Sequence, residues 1–226
     1  MRHIATFILA FVAATTFAQI EQPRHILEVG VAGGMNMSKL DVQPKIRQKL
    51  LDGINGGVNI RYTSEKYFSM ICAAQLEVNF SQRGWEEEFD KGLPYTYTRT
   101  LNYIEVPFMA HLSWGQEPRG LQFFINLGPQ VGFFLGEDEQ LGGGLDPANR
   151  PESIRPVYGK AVEKKFEYGI TGGAGLELKT KAGNFFIEGR YYYGLSDIYG
   201  NSKLDDFGRS ANQTITLRLG YQIRIF

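Results

Sequence analysis

Thr214-Ile215-Thr216-Leu217-Arg218-Leu219-Gly220-Tyr221-Gln222-Ile223-Arg224-Ile225-Phe226 closes the chain. Ile215, Leu217, Leu219, Tyr221, Ile223 and Ile225 occupy one parity, and Thr214, Thr216, Arg218, Gln222 and Arg224 the other. A period of two is the side-chain period of a β-strand, so the stretch reads as one strand with an apolar and a polar face. Seven earlier stretches repeat it: His25 to Asn36, Ile54 to Tyr62, Phe68 to Ser81, Tyr103 to Leu112, Leu121 to Phe133, Phe166 to Leu178 and Phe185 to Tyr193. The connections between them alternate in length. Thr63 to Lys66, Gly115 to Gly120 and Lys179 to Gly183 are hairpin-sized, whereas 37–52, 82–99, 136–164 and 195–212 are long. Eight amphipathic strands of about ten residues, with short turns at one end and long loops at the other, form the pattern of an all-β, eight-stranded antiparallel up-and-down transmembrane barrel.

Parity alone does not separate this reading from a soluble ligand-binding barrel, which hides its apolar face instead. The charge chemistry favours the membrane. Glu28, Glu77, Glu105, Glu167, Glu177 and Glu188 share the polar parity with Arg61, Arg190, Arg218, Arg224 and many glycines, and His111 joins them. Near-balanced charge beside glycine suits a narrow lumen filled by ion pairs, since buried charges must be paired. Lysines, which a soluble exterior would carry, fall in loops and turns: Lys45, Lys49, Lys66, Lys91, Lys160, Lys179, Lys181 and Lys203. Tyr62, Phe68, Phe80, Trp85, Trp114, Phe133, Phe134, Tyr191 and Tyr193 lie near strand ends, as interfacial girdles do.

The start of the chain reads as a cleaved signal peptide over residues 1–18. Met1-Arg2-His3 is a short positive region, Ile4 to Phe17 is mostly apolar, and Thr16-Phe17-Ala18 resembles a cleavage site, with the cut after Ala18. Residues 19–226 then form one barrel domain, placed in the outer membrane with many crossings. Lys+Arg and Asp+Glu are 24 each, so there is no uncompensated basic face for nucleic acid. Cys72 is the single cysteine, which excludes disulfide scaffolds and thiolate metal clusters, and its apolar parity makes it a small hydrophobe.

Chemistry is sparse, and no catalytic, cofactor-binding or metal-binding residue is assigned. A lipid hydrolase built on His111, Ser113 and Glu105 is weighed against a lumen histidine in a polar network, and the network is preferred. The lumen carboxylates have candidate counter-ions and read as structural. Glu86-Glu87-Glu88-Phe89-Asp90 and Glu137-Asp138-Glu139 lack Ca²⁺-loop spacing and read as solvated acidic loops. Gly142-Gly143-Gly144 lacks the Lys-Ser/Thr of a phosphate loop and reads as a flexible loop. Gly136 to Lys164 is the longest connection and the best place for a partner contact, stiffened by Pro147, Pro151 and Pro156.

Val29-Gly30-Val31-Ala32-Gly33-Gly34-Met35-Asn36, Leu101-Asn102-Tyr103-Ile104-Glu105-Val106-Pro107, Asn126-Leu127-Gly128-Pro129 and Gly169-Ile170-Thr171-Gly172-Gly173-Ala174-Gly175-Leu176-Glu177 resemble the PorT-type outer-membrane barrel family of Bacteroidetes. Tyr103-Ile104-Glu105-Val106-Pro107 is the most telling piece, because proline within a strand is disfavoured. The resemblance implies an eight-stranded outer-membrane barrel, and the family's named member is associated with type IX secretion and gliding. It also implies that the closing Tyr221, Ile223, Ile225 and Phe226 are read by the barrel-assembly machinery, although Phe226 falls on the opposite parity from the other three. The expected partners are outer-membrane lipid, that machinery and secretion or envelope proteins, with no nucleic acid and no cofactor. The expected role is a non-enzymatic barrel acting through its loops or periplasmic turns, with an accessory part in protein secretion. A small porin-like transport barrel is the alternative, and a lipid-modifying barrel enzyme the third reading.

Overall fold

Backbone donors and acceptors in hydrocarbon must be satisfied within the chain, and a closed ring of strands does so without an edge. The computed structural model describes residues 22–152, 155–200 and 207–226. The expected signal peptide and its cut after Ala18 lie outside the described residues. β1 (Gln22–Gln43), β3 (Leu51–Tyr67), β4 (Met70–Glu87), β5 (Thr96–Gly115), β6 (Gly120–Gly142), β7 (Phe166–Lys179), β8 (Asn184–Gly194) and β9 (Arg209–Arg224) pair in sequence order, all antiparallel. β1 closes the ring on β9, with Val31 opposite Tyr221 and Met35 opposite Leu217. β2 (Gln48–Lys49) is a two-residue strip that pairs with the upper end of β4.

The burial pattern decides between the two barrel readings. Val31, Met35, Ile54, Val58, Leu76, Phe108, Leu127, Ile170, Leu176, Ile187, Leu217 and Leu219 are exposed, while the alternate residues are buried. An apolar outside around a polar inside would be ruinous in water and is the stable arrangement in lipid. Leu217 stands on this outer face at the level of Arg218. Replacing Leu217 by arginine is expected to cost about 2–4 kcal/mol of folding free energy in bilayers. Urea titration of the vesicle-inserted protein checks this, and a loss below about 0.5 kcal/mol would place the residue away from the bilayer core.

Several strands run far beyond the lengths expected from the alternation. β1 has 22 residues. At a rise of ~3.3 Å and a tilt of ~40° it stands roughly 55 Å tall against an apolar band of about 25 Å. The upper parts of the strands resemble loops in sequence because their polarity inverts. In β1, Leu27, Val29, Val31 and Met35 lie on the outward parity and Glu28 and Asn36 inside, but above Ser38 the outward residues are Lys39, Asp41 and Gln43 and the buried ones Leu40 and Val42. β5 repeats this in reverse: Tyr97, Leu101 and Tyr103 are buried above, while Ile104, Val106 and Phe108 face outward below. β1 and β5 therefore cross lipid polar-side-in and continue into water apolar-side-in.

Irregularities in register shift parity along the way. Ser64 is an extra residue between the pairs Thr63–Ala73 and Glu65–Cys72, so the β3–β4 turn falls at Phe68 and Ser69 and not within Thr63 to Lys66. Phe68 takes a positive φ of 54° in that turn without being glycine. Leu135 is bulged where Tyr103 pairs with Phe134 and Asn102 with Gly136, which turns Glu137 and Glu139 inward. Inside the ring, glycines make room for flat rings from the facing strand. Phe124 lies opposite Gly175 and Phe186 opposite Gly220, and a Cβ on Gly220 would meet the Phe186 ring at 2.1 Å.

The girdle expectation needs two corrections. Tyr62, Phe68, Phe133 and Tyr191 are exposed, and Phe80, Trp114 and Tyr193 half-buried. Trp85 is only 1% exposed and points inward, in parity with Ser81 and Arg83. Phe134 also packs inward, edge-on to Tyr103 at 5.7 Å.

Candidate functional site

Charges in a narrow lumen need partners, and a closed ring supplies them from the opposite wall. Arg61 on β3 reaches Glu177 on β7, lies 3.7 Å from Glu28 and donates to Gln75 at 2.8 Å. Asn184 donates to Glu28 at 2.6 Å. At the middle level, Glu77 on β4 meets Arg190 at 3.0 Å and Arg218 at 2.9 Å, from β8 and β9. Glu188 contacts the same two arginines at 3.0 and 2.8 Å, closing a four-membered ring of alternating charge. Above it, Arg83 bonds Glu105 and lies 3.0 Å from Glu167, with its guanidinium 5.0 and 4.4 Å from the Tyr103 and Tyr192 rings. These contacts bridge the lumen from wall to wall at three heights.

The structure thus brings together Glu28, Arg61, Glu77, Glu105, Glu167, Glu177, Glu188, Arg190 and Arg218, all buried. His111 is buried beside them, with Nδ1 2.8 Å from the Asn126 side-chain oxygen, and Asn126 donates to Glu188 at 2.8 Å. Among the described residues His111 makes no hydrogen bond to Ser113 or Glu105, and Glu105 accepts from Arg83. Arg224 is the exception to the expected set. It has the lumen parity but lies past Gln222, the last buried residue of β9, and is exposed at the periplasmic rim. Arg83 and Arg99 fall within 82–99, which lacks the alternation of the lipid-crossing stretches; extending the parity of Ser81 along β4 finds Arg83, and extending that of Glu105 back along β5 finds Arg99. Ile223, Ile225 and Phe226 are exposed, and Phe226 accepts from Leu27 N–H at 3.0 Å through its carbonyl.

The upper, water-exposed part of the ring is filled differently. Leu40, Val42, Trp85, Tyr97, Leu101 and Tyr103 meet Val157 and Val162 from the loop 143–165, and Ile198, Tyr199 and Phe207 from the loop 195–208, in one apolar cluster. Together they form a cap. The long loop carries two single 3-10 turns, Pro147–Asn149 and Arg155–Val157, the first capped by Asp146. Its Glu163 and Lys164 amides bond the Ile198 carbonyl of the other loop at 3.1 and 3.0 Å. Arg99 enters the cap and donates to the Lys160 carbonyl and to Glu137, both at 2.6 Å. Glu87 accepts from both Arg150 and Tyr158, latching the loop to β4. Burial first, and the bond to Glu87 second, push the Tyr158 hydroxyl up to about 12. Burial likewise takes Tyr199 to about 12, so both rings remain neutral donors across physiological pH.

The acidic stretches are solvated only in part, with Asp90 and Asp138 exposed. Glu86 is 3.6 Å from Lys49, Asp90 2.8 Å from Arg47, and Glu137 and Glu139 lie on β6 against Arg99. Glu88 remains exposed. Among the described residues no group of three or more His, Cys, Asp or Glu is placed to hold a metal ion.

A family model described as outer membrane protein beta-barrel domain matches residues 17–200. Among solved structures, OprG of Pseudomonas aeruginosa is 13% identical, with 89% of this chain and 98% of that one covered and a TM-score of 0.43. The outer membrane enzyme PagL is 12% identical over 87% of this chain and 98% of its own, with a TM-score of 0.43. Ail of Yersinia pestis is 15% identical over 87% and 98%, with a TM-score of 0.36. At such identities the likeness brings no activity to this chain. A search of curated proteins finds no match.

Proposed function

We propose, from the premise that this chain belongs to the outer membrane protein beta-barrel domain family, that it is a non-enzymatic barrel of the PorT type. It acts in the outer membrane by contacts at its ends, as an accessory to protein secretion. The observation that carries this reading is the wall-to-wall bridging of the lumen by Arg61–Glu177, by the Glu77–Arg190–Glu188–Arg218 ring and by Arg83–Glu167. A lumen crossed this way offers solutes no continuous path, which leaves the capped outer end and the periplasmic turns as working surfaces. The cap supports the same reading, because it holds the loop 143–165 on a rigid platform of Trp85, Tyr97 and Leu101.

The test compares the secreted and cell-surface proteomes of a deletion strain, its parent and a complemented strain. Loss of a class of exported proteins, restored by complementation, is expected; an unchanged pattern would overturn the secretion role. The purified barrel in planar bilayers is expected to give no discrete conductance steps, and reproducible steps would favour the porin-like alternative. Lipid profiles of a His111→Ala strain are expected to match the parent, and an altered profile would speak for a lipid-modifying enzyme.

A further inference from the structure

Periplasmic turns need only reverse the chain, yet here they enclose a cavity of about 400 Å³ at the mouth of the lumen. Its floor includes Glu28, which accepts from the Asn184 amide at 2.6 Å and lies 3.7 Å from Arg61. In its wall Arg24 is bonded to Glu117, and Lys179 lies 3.9 Å from Glu177. Three cations then remain on the lining, Arg119, Lys181 and Arg224, all exposed and in no ion pair among the described residues. They come from three places in the chain: the β5–β6 turn, the β7–β8 turn and the end of β9. Both turns are pinned. Thr180 donates to the Gly183 carbonyl at 2.6 Å, Tyr221 to the Ala182 carbonyl, and Gln122 to the Gln116 carbonyl at 3.0 Å.

Like charges held on rigid turns around one concavity repel each other and focus a positive potential into it, which an anion relieves. We propose that this vestibule binds a small phosphate-bearing molecule from the periplasmic side. Two guanidinium forks and one ammonium match the oxygens of a phosphate group, which takes bidentate bonds from arginine. The volume is that of a small-molecule site and excludes a folded partner. The phosphate could be carried by a free solute or by the headgroup of an inner-leaflet lipid; the recognising chemistry is the same. The site is independent of the secretion role proposed above.

The test titrates glycerol phosphate by calorimetry into the full barrel in maltoside detergent, which contributes no phosphate. Saturable binding is expected, weakened at least tenfold in the R119Q/K181Q/R224Q variant and by raised salt. The three positions are exposed, and retained heat-dependent gel migration would show that the variant is folded. In nanodiscs, abolition of the binding by phosphatidylglycerol but not by phosphatidylcholine would assign the site to a lipid headgroup. Binding that survives in both would assign it to a free solute. Absence of saturable binding in detergent, or an unchanged affinity in the triple variant, would overturn the proposal.

Discussion

Replacing Arg218 by methionine is expected to remove about 3–5 kcal/mol of stability. Arg218 holds Glu77 at 2.9 Å and Glu188 at 2.8 Å, and both carboxylates are at most 1% exposed. Its loss leaves two buried acids sharing Arg190 alone. The cost arises less from the pair's own attraction than from a carboxylate that has lost its counter-ion where water cannot replace it. Methionine preserves much of the side-chain volume against Phe186, whose ring lies 5.8 Å below the guanidinium, so packing loss is a minor part. Adding Glu188→Gln to the variant restores charge balance and is expected to recover more than half of the loss, a coupling that a double-mutant cycle reads directly. Urea unfolding in vesicles, followed by gel migration, measures each variant. A single-variant loss under about 1 kcal/mol, the range of exposed ion pairs, would mean that the lumen is well hydrated and its ion-pair ring adds little.

Trp85→Ala is expected to cost a similar amount, about 3–5 kcal/mol, but in a different place. Trp85 is buried in the cap with Tyr97, Leu101, Val157 and Tyr199, and the Arg99 guanidinium lies 5.9 Å from its ring centroid. Val157, Val162, Ile198, Tyr199 and Phe207 of the two loops pack into the same cluster as Trp85, so its loss loosens the cap while the strand ladders of the ring stay paired. Amide exchange in the cap, at Ile198 and Tyr199, is therefore expected to accelerate by about two to three orders of magnitude, since each 1.4 kcal/mol is tenfold. Amides of the middle level, such as Glu77 and Glu188, are expected to keep their protection. Uniform acceleration through both regions would show that cap and barrel unfold as one unit.

Much of this architecture is legible in the sequence, and the failures share a cause. Alternation finds every strand wherever one face meets lipid and the other the lumen, as in Leu217-Arg218-Leu219. It loses the strands above the bilayer, where Lys39 and Asp41 face water while Leu40 and Val42 turn inward, because the inverted pattern resembles a mixed loop. Trp85 lies near a strand end, as girdle residues do, but its parity with Ser81 puts it inside. Bulges at Ser64 and Leu135 are invisible to a strict period of two, and a turn at Phe68-Ser69 carries none of the Asn-Gly or Asp-Gly chemistry that marks hairpins. Arg224 shares the parity of Arg218, but parity does not say where the lumen ends.

By itself the sequence determined which side chains share a face and which end carries the long loops, because both follow from local period and chain length. Only the closed ring decided which charges meet. Arg61 and Glu177 are 116 residues apart, and Glu77 and Arg218 141. Nothing local pairs them; strand register and curvature do, by setting opposite walls within reach of one side chain. The same closure gathers Val157, Ile198 and Phe207 over Trp85 into a core that no single stretch of the chain contains.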